Sequence, residues 1–121
     1  PIKAFVDSGA DSTVMTMSCA MKCGLEDLID PRFAGLAVGT GATLVLGKVH
    51  HAKISIGSQT HSFNCAVMAF TAQKSEFLLG LDFLKRNKCQ IDFSNNCLIM
   101  RDGERIPFLE GDDLPDHARF R

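Results

Sequence analysis

The chain has 121 residues and a mass of 13.2 kDa, the size of one domain spanning 1–121, and at 45% hydrophobic it can bury a core without disulfide staples. Thirteen basic side chains against fourteen acidic leave a net charge of −1, no footprint for a phosphate backbone, so no nucleic-acid partner is expected. No apolar run approaches the roughly 20 residues of a bilayer span, so no membrane partner is expected either, and the lack of Trp and Tyr weighs against an aromatic cage or stacking platform.

Taken in order, Ile2 to Val6 reads as a strand leading straight into Asp7, too short for a secretory leader. Thr13 to Met17 reads as a second strand. Ser18 to Cys23 reads as a short helix, with Ser18 as N-cap and Gly24 past its end. Arg32 to Val38 is expected to be extended, and Gly39-Thr40-Gly41 to turn. Leu44 to Ile56 is a long β-branched strand, Gly57-Ser58 a hairpin turn and Thr60 to Phe70 the return. After a polar loop at 71–75, Phe77-Leu78-Leu79 is a fully apolar strand ending at Gly80. Leu81 to Asn87 is the best helix, with Lys85, Arg86 and Lys88 near its C-terminal end. Cys89 to Phe93 and Cys97 to Arg101 form a hairpin around Ser94-Asn95-Asn96. Asp102-Gly103 turns into a last strand, Ile106 to Leu109, and the polar remainder to Arg121 is expected to be loose. The total is an all-β pattern with one convincing helix. The five cysteines, an odd count, suggest reduced, buried thiols in a cytoplasmic or nuclear protein.

The strongest chemical signal is Asp7-Ser8-Gly9-Ala10, directly after the apolar Ala4-Phe5-Val6. An Asp at a strand end presents its carboxylate from a rigid element, and Ser8 can fix the loop by a hydrogen bond. Gly9 lets a backbone N–H approach the carboxylate with no Cβ in the way, and Ala10 is small enough for tight packing. Alone, these four residues could be an ordinary turn. About seventy residues on, Leu78-Leu79-Gly80 ends a strand before a helix and can pack beneath such a loop, with Gly39-Thr40-Gly41 between the two signals.

Together these three features resemble the retroviral-type aspartic proteases, or retropepsins, and more closely the retroviral-protease-like domain of the DNA-damage-inducible family of ubiquitin-dependent proteins. The resemblance covers nearly the whole chain. It rests on Phe5 to Ala10, Arg32-Phe33-Ala34-Gly35, Gly47-Lys48-Val49-His50, Leu78-Leu79-Gly80-Leu81-Asp82, Leu84-Lys85-Arg86, and Phe108-Leu109 with Leu114-Pro115. It implies a closed, barrel-like β half that becomes active as an obligate C2 homodimer. The chain holds one Asp-Ser-Gly, whereas the chemistry needs two carboxylates, so the second Asp7 must come from a mate. Asp7 is then the catalytic residue, Ser8, Gly9 and Ala10 its loop, Gly39, Thr40 and Gly41 the flap, and Asp11 and Leu79 substrate-binding positions. No metal and no cofactor is implied. Polypeptides are the substrates, with ubiquitylated proteins and the proteasome as partners through domains outside this chain.

Two departures stand out. Asp11 takes the place where near relatives carry Gln; in retroviral enzymes that Asp pairs with an Arg just after the apolar-apolar-Gly, where this chain has Leu81. Only six residues precede Asp7, fewer than a retropepsin subunit normally has, so a preceding strand is expected in a longer chain. For the dimer, the resemblance points to the C-terminal strands, Cys97 to Leu109, as the main contact, an apolar stretch that fits an ordinary core hairpin almost as well. Other candidates are weaker. Cys19 and Cys23 share one helical turn and could be imagined as a zinc site with His50 or His51, but read better as small apolar helix residues. His50 and His51, adjacent in a strand, are expected on opposite faces. Gly41 to Lys48 fails as a phosphate loop, since Val49 stands where Ser or Thr is needed. Two other functions remain open on the sequence: a non-catalytic dimerising peptide-binding module of a proteasome shuttle, and a retroelement protease that processes its own polyprotein.

Overall fold

A computed structural model describes residues 1–37, 43–71 and 74–118. Its backbone is mostly β. Strands β1 (Ala4–Val6), β2 (Val14–Thr16), β3 (Ile29–Asp30), β4 (Gly35–Ala37), β5 (Thr43–Ile56), β6 (Gln59–Met68) and β7 (Phe77–Leu79) form one sheet in the order β1-β7-β2-β6-β5-β3, with β4 pairing on β5. Strands β8 (Gln90–Asp92), β9 (Cys97–Ile99) and β10 (Arg105–Pro107) form a second sheet with β9 in the middle. Helices α1 (Met17–Lys22) and α2 (Leu81–Arg86) follow β2 and β7.

The placement of β7 organises the molecule. It runs parallel to β1 and antiparallel to β2, so it lies between the two strands that the Asp7 loop joins. A strand so flanked and covered can hold only apolar side chains, and Phe77, Leu78 and Leu79 are all buried. Phe77 packs edge-on against Phe63, and Met15, Val49 and Val67 complete the centre of the core.

The β5–β6 hairpin turns at Gly57, whose φ of 61° suits glycine. A Cβ there would lie 2.5 Å from Glu104 Oε2. That carboxylate accepts from the backbone N–H and the hydroxyl of Ser58, tying the hairpin tip to the second sheet. Two irregularities bend β5, between Val45 and Gly47 and between Val49 and Ala52. The second takes His51 to a φ of 56° and breaks the strict alternation that would send His50 and His51 to opposite faces; both are exposed. His50 Nε2 lies 3.2 Å from the Asp30 carboxylate, which also takes Arg32 Nε and Nη2. The Arg32 side chain is the main reason the Asp30 carboxyl sits well below the usual carboxylate range, with the Arg32 N–H and His50 adding to it.

Several local expectations change. Helix α1 begins one residue earlier than Ser18: Thr16 is the N-cap, its hydroxyl accepting from Cys19 N–H at 3.1 Å. Residues 26–33, which show no period in sequence, hold two 3-10 turns and the two-residue β3, whose Ile29 and Asp30 are ordered by pairing with Val49 and Lys48. The segment expected to be loose after Glu110 forms 3-10 turns at Gly111–Asp113 and Asp116–Ala118, and His117 Nε2 lies 3.1 Å from the hydroxyl of buried Ser75. Part of the stretch Cys97 to Leu109 also packs inside the subunit, while its last residue, Leu109, is 45% exposed. Cys97, Leu98 and Met100 are buried, and Ile106 and Phe108 pack against the core.

Candidate active site

Asp7 follows β1 at the point where the sheet ends. Its N–H donates to Leu79 O at 2.9 Å, which pins the residue to β7. Its own carbonyl accepts from Ala10 N–H at 3.2 Å, closing a tight turn. Gly9 N–H donates to Asp7 Oδ1 at 2.9 Å, and a Cβ at Gly9 would stand 3.2 Å from the same oxygen. The glycine thus brings a backbone donor to one carboxylate oxygen and keeps the space beside it clear. Asp7 is half-buried, while Ser8 and Gly9 are exposed at the loop's apex.

The far side of the loop is held by α2. Leu81 N–H donates to Ala10 O at 2.7 Å and Asp82 N–H to Asp11 O at 3.1 Å. Asp82 Oδ1 accepts from Thr13 N–H at 3.0 Å, from the Thr13 hydroxyl at 2.7 Å and from Phe83 N–H at 2.7 Å. The Thr13 hydroxyl in turn accepts from Gly80 N–H at 3.2 Å. Thr13 is fully buried while Asp82 is exposed, so the knot joins a core hydroxyl to a surface carboxylate. Gly80 is required by contact: a Cβ there would be 2.5 Å from both C and O of Ser12 and 2.9 Å from Thr13 N.

The positions named from sequence therefore divide. Asp7, Ser8, Gly9 and Ala10 form one loop. Leu79 lies beneath it, but its side chain is 3% exposed in the core, so it supports Asp7 through its backbone carbonyl and offers no side chain to a substrate. Asp11 is exposed, and among the described residues its carboxylate has no ion-pair partner; Leu81, in the place of the arginine, supplies only a backbone N–H to the loop. Gly39, Thr40 and Gly41, the expected flap, lie outside the described residues. Thr13 and Asp82 went unassigned in sequence, although Asp82 stands in the second motif; a buried hydroxyl paired with a carboxylate 69 positions away has no local signature. Among the described residues, no three His, Cys, Asp or Glu side chains gather as a metal site.

Beside the loop runs an apolar groove of about 330 Å³, bordered by Phe5, Val6, Ser8, Phe93, Phe108 and Leu109. The open edges of β1 and β8 belong to the two sheets on this side, and Phe93, just past β8, is 86% exposed.

A family model for aspartyl proteases matches residues 1–92 of the chain. The DNA damage-inducible protein 1 of Cryptococcus neoformans is 46% identical over 121 residues, covering 100% of this chain and 27% of that protein. The Protein DNA-DAMAGE INDUCIBLE 1 of Arabidopsis thaliana is 44% identical over 121 residues, covering 99% and 28%. The chain thus spans less than a third of the curated relatives it matches. Among solved structures, the retroviral protease-like domain of Ddi1 from Leishmania major superposes with a TM-score of 0.82 at 38% identity, covering 93% of this chain and 88% of that one. The chain belongs to the aspartyl protease family and, within it, to the retroviral-protease-like domains of the DNA-damage-inducible proteins.

Proposed function

We propose that this domain is one subunit of a homodimeric aspartic endopeptidase in which Asp7 and the Asp7 of a second copy activate a water against a peptide carbonyl. The observation that carries the reading is the fixed Asp7 loop, with a backbone N–H on Oδ1 and the residue's own N–H tied to β7. One carboxylate cannot serve at once as base toward water and acid toward the carbonyl oxygen; two that share a proton can. The groove beside Ser8, which Phe108 and Leu109 of the Cys97 to Leu109 stretch also border, and the exposed Phe93 support pairing on this side. An extended polypeptide, bound as an added strand, is the substrate class. The choice of ubiquitylated proteins, the link to the proteasome and placement in the cytoplasm and nucleus rest on the family resemblance, with the five free thiols in keeping with a reducing compartment.

The test is cleavage of a diverse peptide and unfolded-protein mixture by the verified dimer, from about pH 4 to 7.5, where a shared-proton dyad passes through its active form. A ubiquitylated substrate runs in parallel. The Asp7→Asn variant is expected to lose at least about 10³-fold in kcat/KM with its fold intact. Equal cleavage by both proteins would remove Asp7 from the mechanism. Silence of the parent on every substrate would favour a peptide-binding module over an enzyme.

A further inference from the structure

Outside the Asp7 loop, two thiols stand close together at the end of α1, Cys19 within the helix and Cys23 as its C-cap. Cys19 and Cys23 stand one helical turn apart, joined along the backbone by Cys23 N–H donating to Cys19 O at 2.9 Å. The two differ in access: Cys19 is 0% exposed and Cys23 is exposed. The remaining thiols are placed otherwise. Cys65 and Cys97 are buried on β6 and β9, and the Cys89 thiol points at the Met100 sulfur at 3.9 Å. With no third ligand gathered near them, Cys19 and Cys23 do not make a metal site among the described residues.

We propose that Cys19 and Cys23 form a redox-active dithiol that closes to an intramolecular disulfide on reaction with small-molecule disulfides. Cys23 is the thiol an oxidant reaches first. Its sulfur attacks the small disulfide, one thiol leaves with a proton, and a mixed disulfide remains on Cys23. The Cys19 sulfur then attacks the Cys23 sulfur and expels the second thiol with its proton. The dithiol loses two electrons and two protons, and the small disulfide gains both. The second step is intramolecular between neighbouring sulfurs, which offsets a weak nucleophile. Burial, with the neighbouring Cys23 adding to it, pushes the Cys19 thiol up to about 12, so this step sets the rate and quickens as pH rises.

Geometry also makes the bond reversible. Cβ atoms four residues apart on a helix stand about 5–6 Å from each other, whereas a disulfide draws them to about 3.5–4.5 Å. The last turn must tighten, and Cys23, as C-cap with φ −91° and ψ 0°, has already left regular helix and can move. A strained, exposed bridge of this kind is readily reduced. Closing it pulls Cys19 from the core and disturbs the cap bonds Cys23 N–H to Cys19 O and Leu25 N–H to Ala20 O.

The test treats the full-length protein with oxidised glutathione at pH 8, then maps disulfides by differential alkylation and proteolysis while following amide exchange across residues 19–25. The expected result is a Cys19–Cys23 disulfide that dithiothreitol reverses, with faster exchange at Cys23 and Leu25. In Cys23→Ser, Cys19 should stay a free thiol and the exchange should not change. Stable glutathionylation of Cys23 beside a free Cys19 would overturn the proposal. So would pairing of either thiol with another cysteine, or no reaction at all.

Discussion

The Asp7 loop and the elbow at the base of β5 are both tied down by an aspartate, yet by different physics. At the loop, Asp82 collects three donors, two of them from buried Thr13, and the backbone of α2 donates twice to the loop carbonyls. At the elbow, Asp30 holds Arg32 and His50 at the surface, where the Arg32 side chain is 82% exposed. A bond that serves a buried group such as Thr13 costs more to lose, because solvent reaches that group poorly even though Asp82 itself is exposed. An exposed ion pair loses little, because solvent and salt replace it. The Asp7 loop is therefore tied to a fully buried hydroxyl, and the Asp30 cluster to the exposed side chains of Arg32 and His50.

The sharpest way to break this contrast is Gly80→Ala. The added Cβ meets backbone of Ser12 and Thr13, which cannot swing aside, and the expected loss is about 2–3 kcal/mol in urea unfolding. A loss near zero would mean that the loop does not depend on close approach of α2. Next, Asp82→Ala removes the acceptor of the Thr13 N–H and hydroxyl, for about 1–2 kcal/mol, since Thr13 is buried though Asp82 is exposed. Asp82→Asn keeps one oxygen acceptor and should cost less, so equal losses would point to charge rather than acceptor geometry. The smallest effect is expected at the elbow. Arg32→Ala should change stability little at neutral pH, and the difference from the parent should depend on pH. Because the folded Asp30 carboxyl lies below its unfolded value, the stabilisation by Arg32 is present in full above the unfolded value of about 3.9 and fades as pH falls through the folded one. Unfolding at a series of acid pH values checks it: a parent–variant difference that grows toward low pH would contradict the sign.

The legible parts of the sequence were those with local causes. Gly57-Ser58 had to turn, the β-branched run of β5 had to extend, and Phe77-Leu78-Leu79 had to be buried on every side. Asp7-Ser8-Gly9 was recognisable because a glycine two residues after a strand-end aspartate has a distinct steric consequence, and the Gly9 N–H does reach the carboxylate. What stayed hidden was set at a distance. Thr16 outcompeted Ser18 as cap because its hydroxyl faces Cys19 N–H, a matter of where β2 ends. Two-residue β3 has no pattern of its own and forms against β5. Leu79, an apolar residue at a motif's end, reads equally as groove or core; only the fit of β7 between β1 and β2 turned its side chain inward.

The sequence by itself thus determined the strand-rich class, the aspartate that faces solvent at the end of β1 and the glycines that let backbones meet, because these follow from sterics and polarity within a few residues. The tertiary structure alone decided that α2 clasps the Asp7 loop through Asp82 and Thr13, and that Cys97, Leu98 and Met100 are buried within the subunit. Burial and long-range hydrogen bonds are properties of the packed chain, and no short window of residues contains both partners.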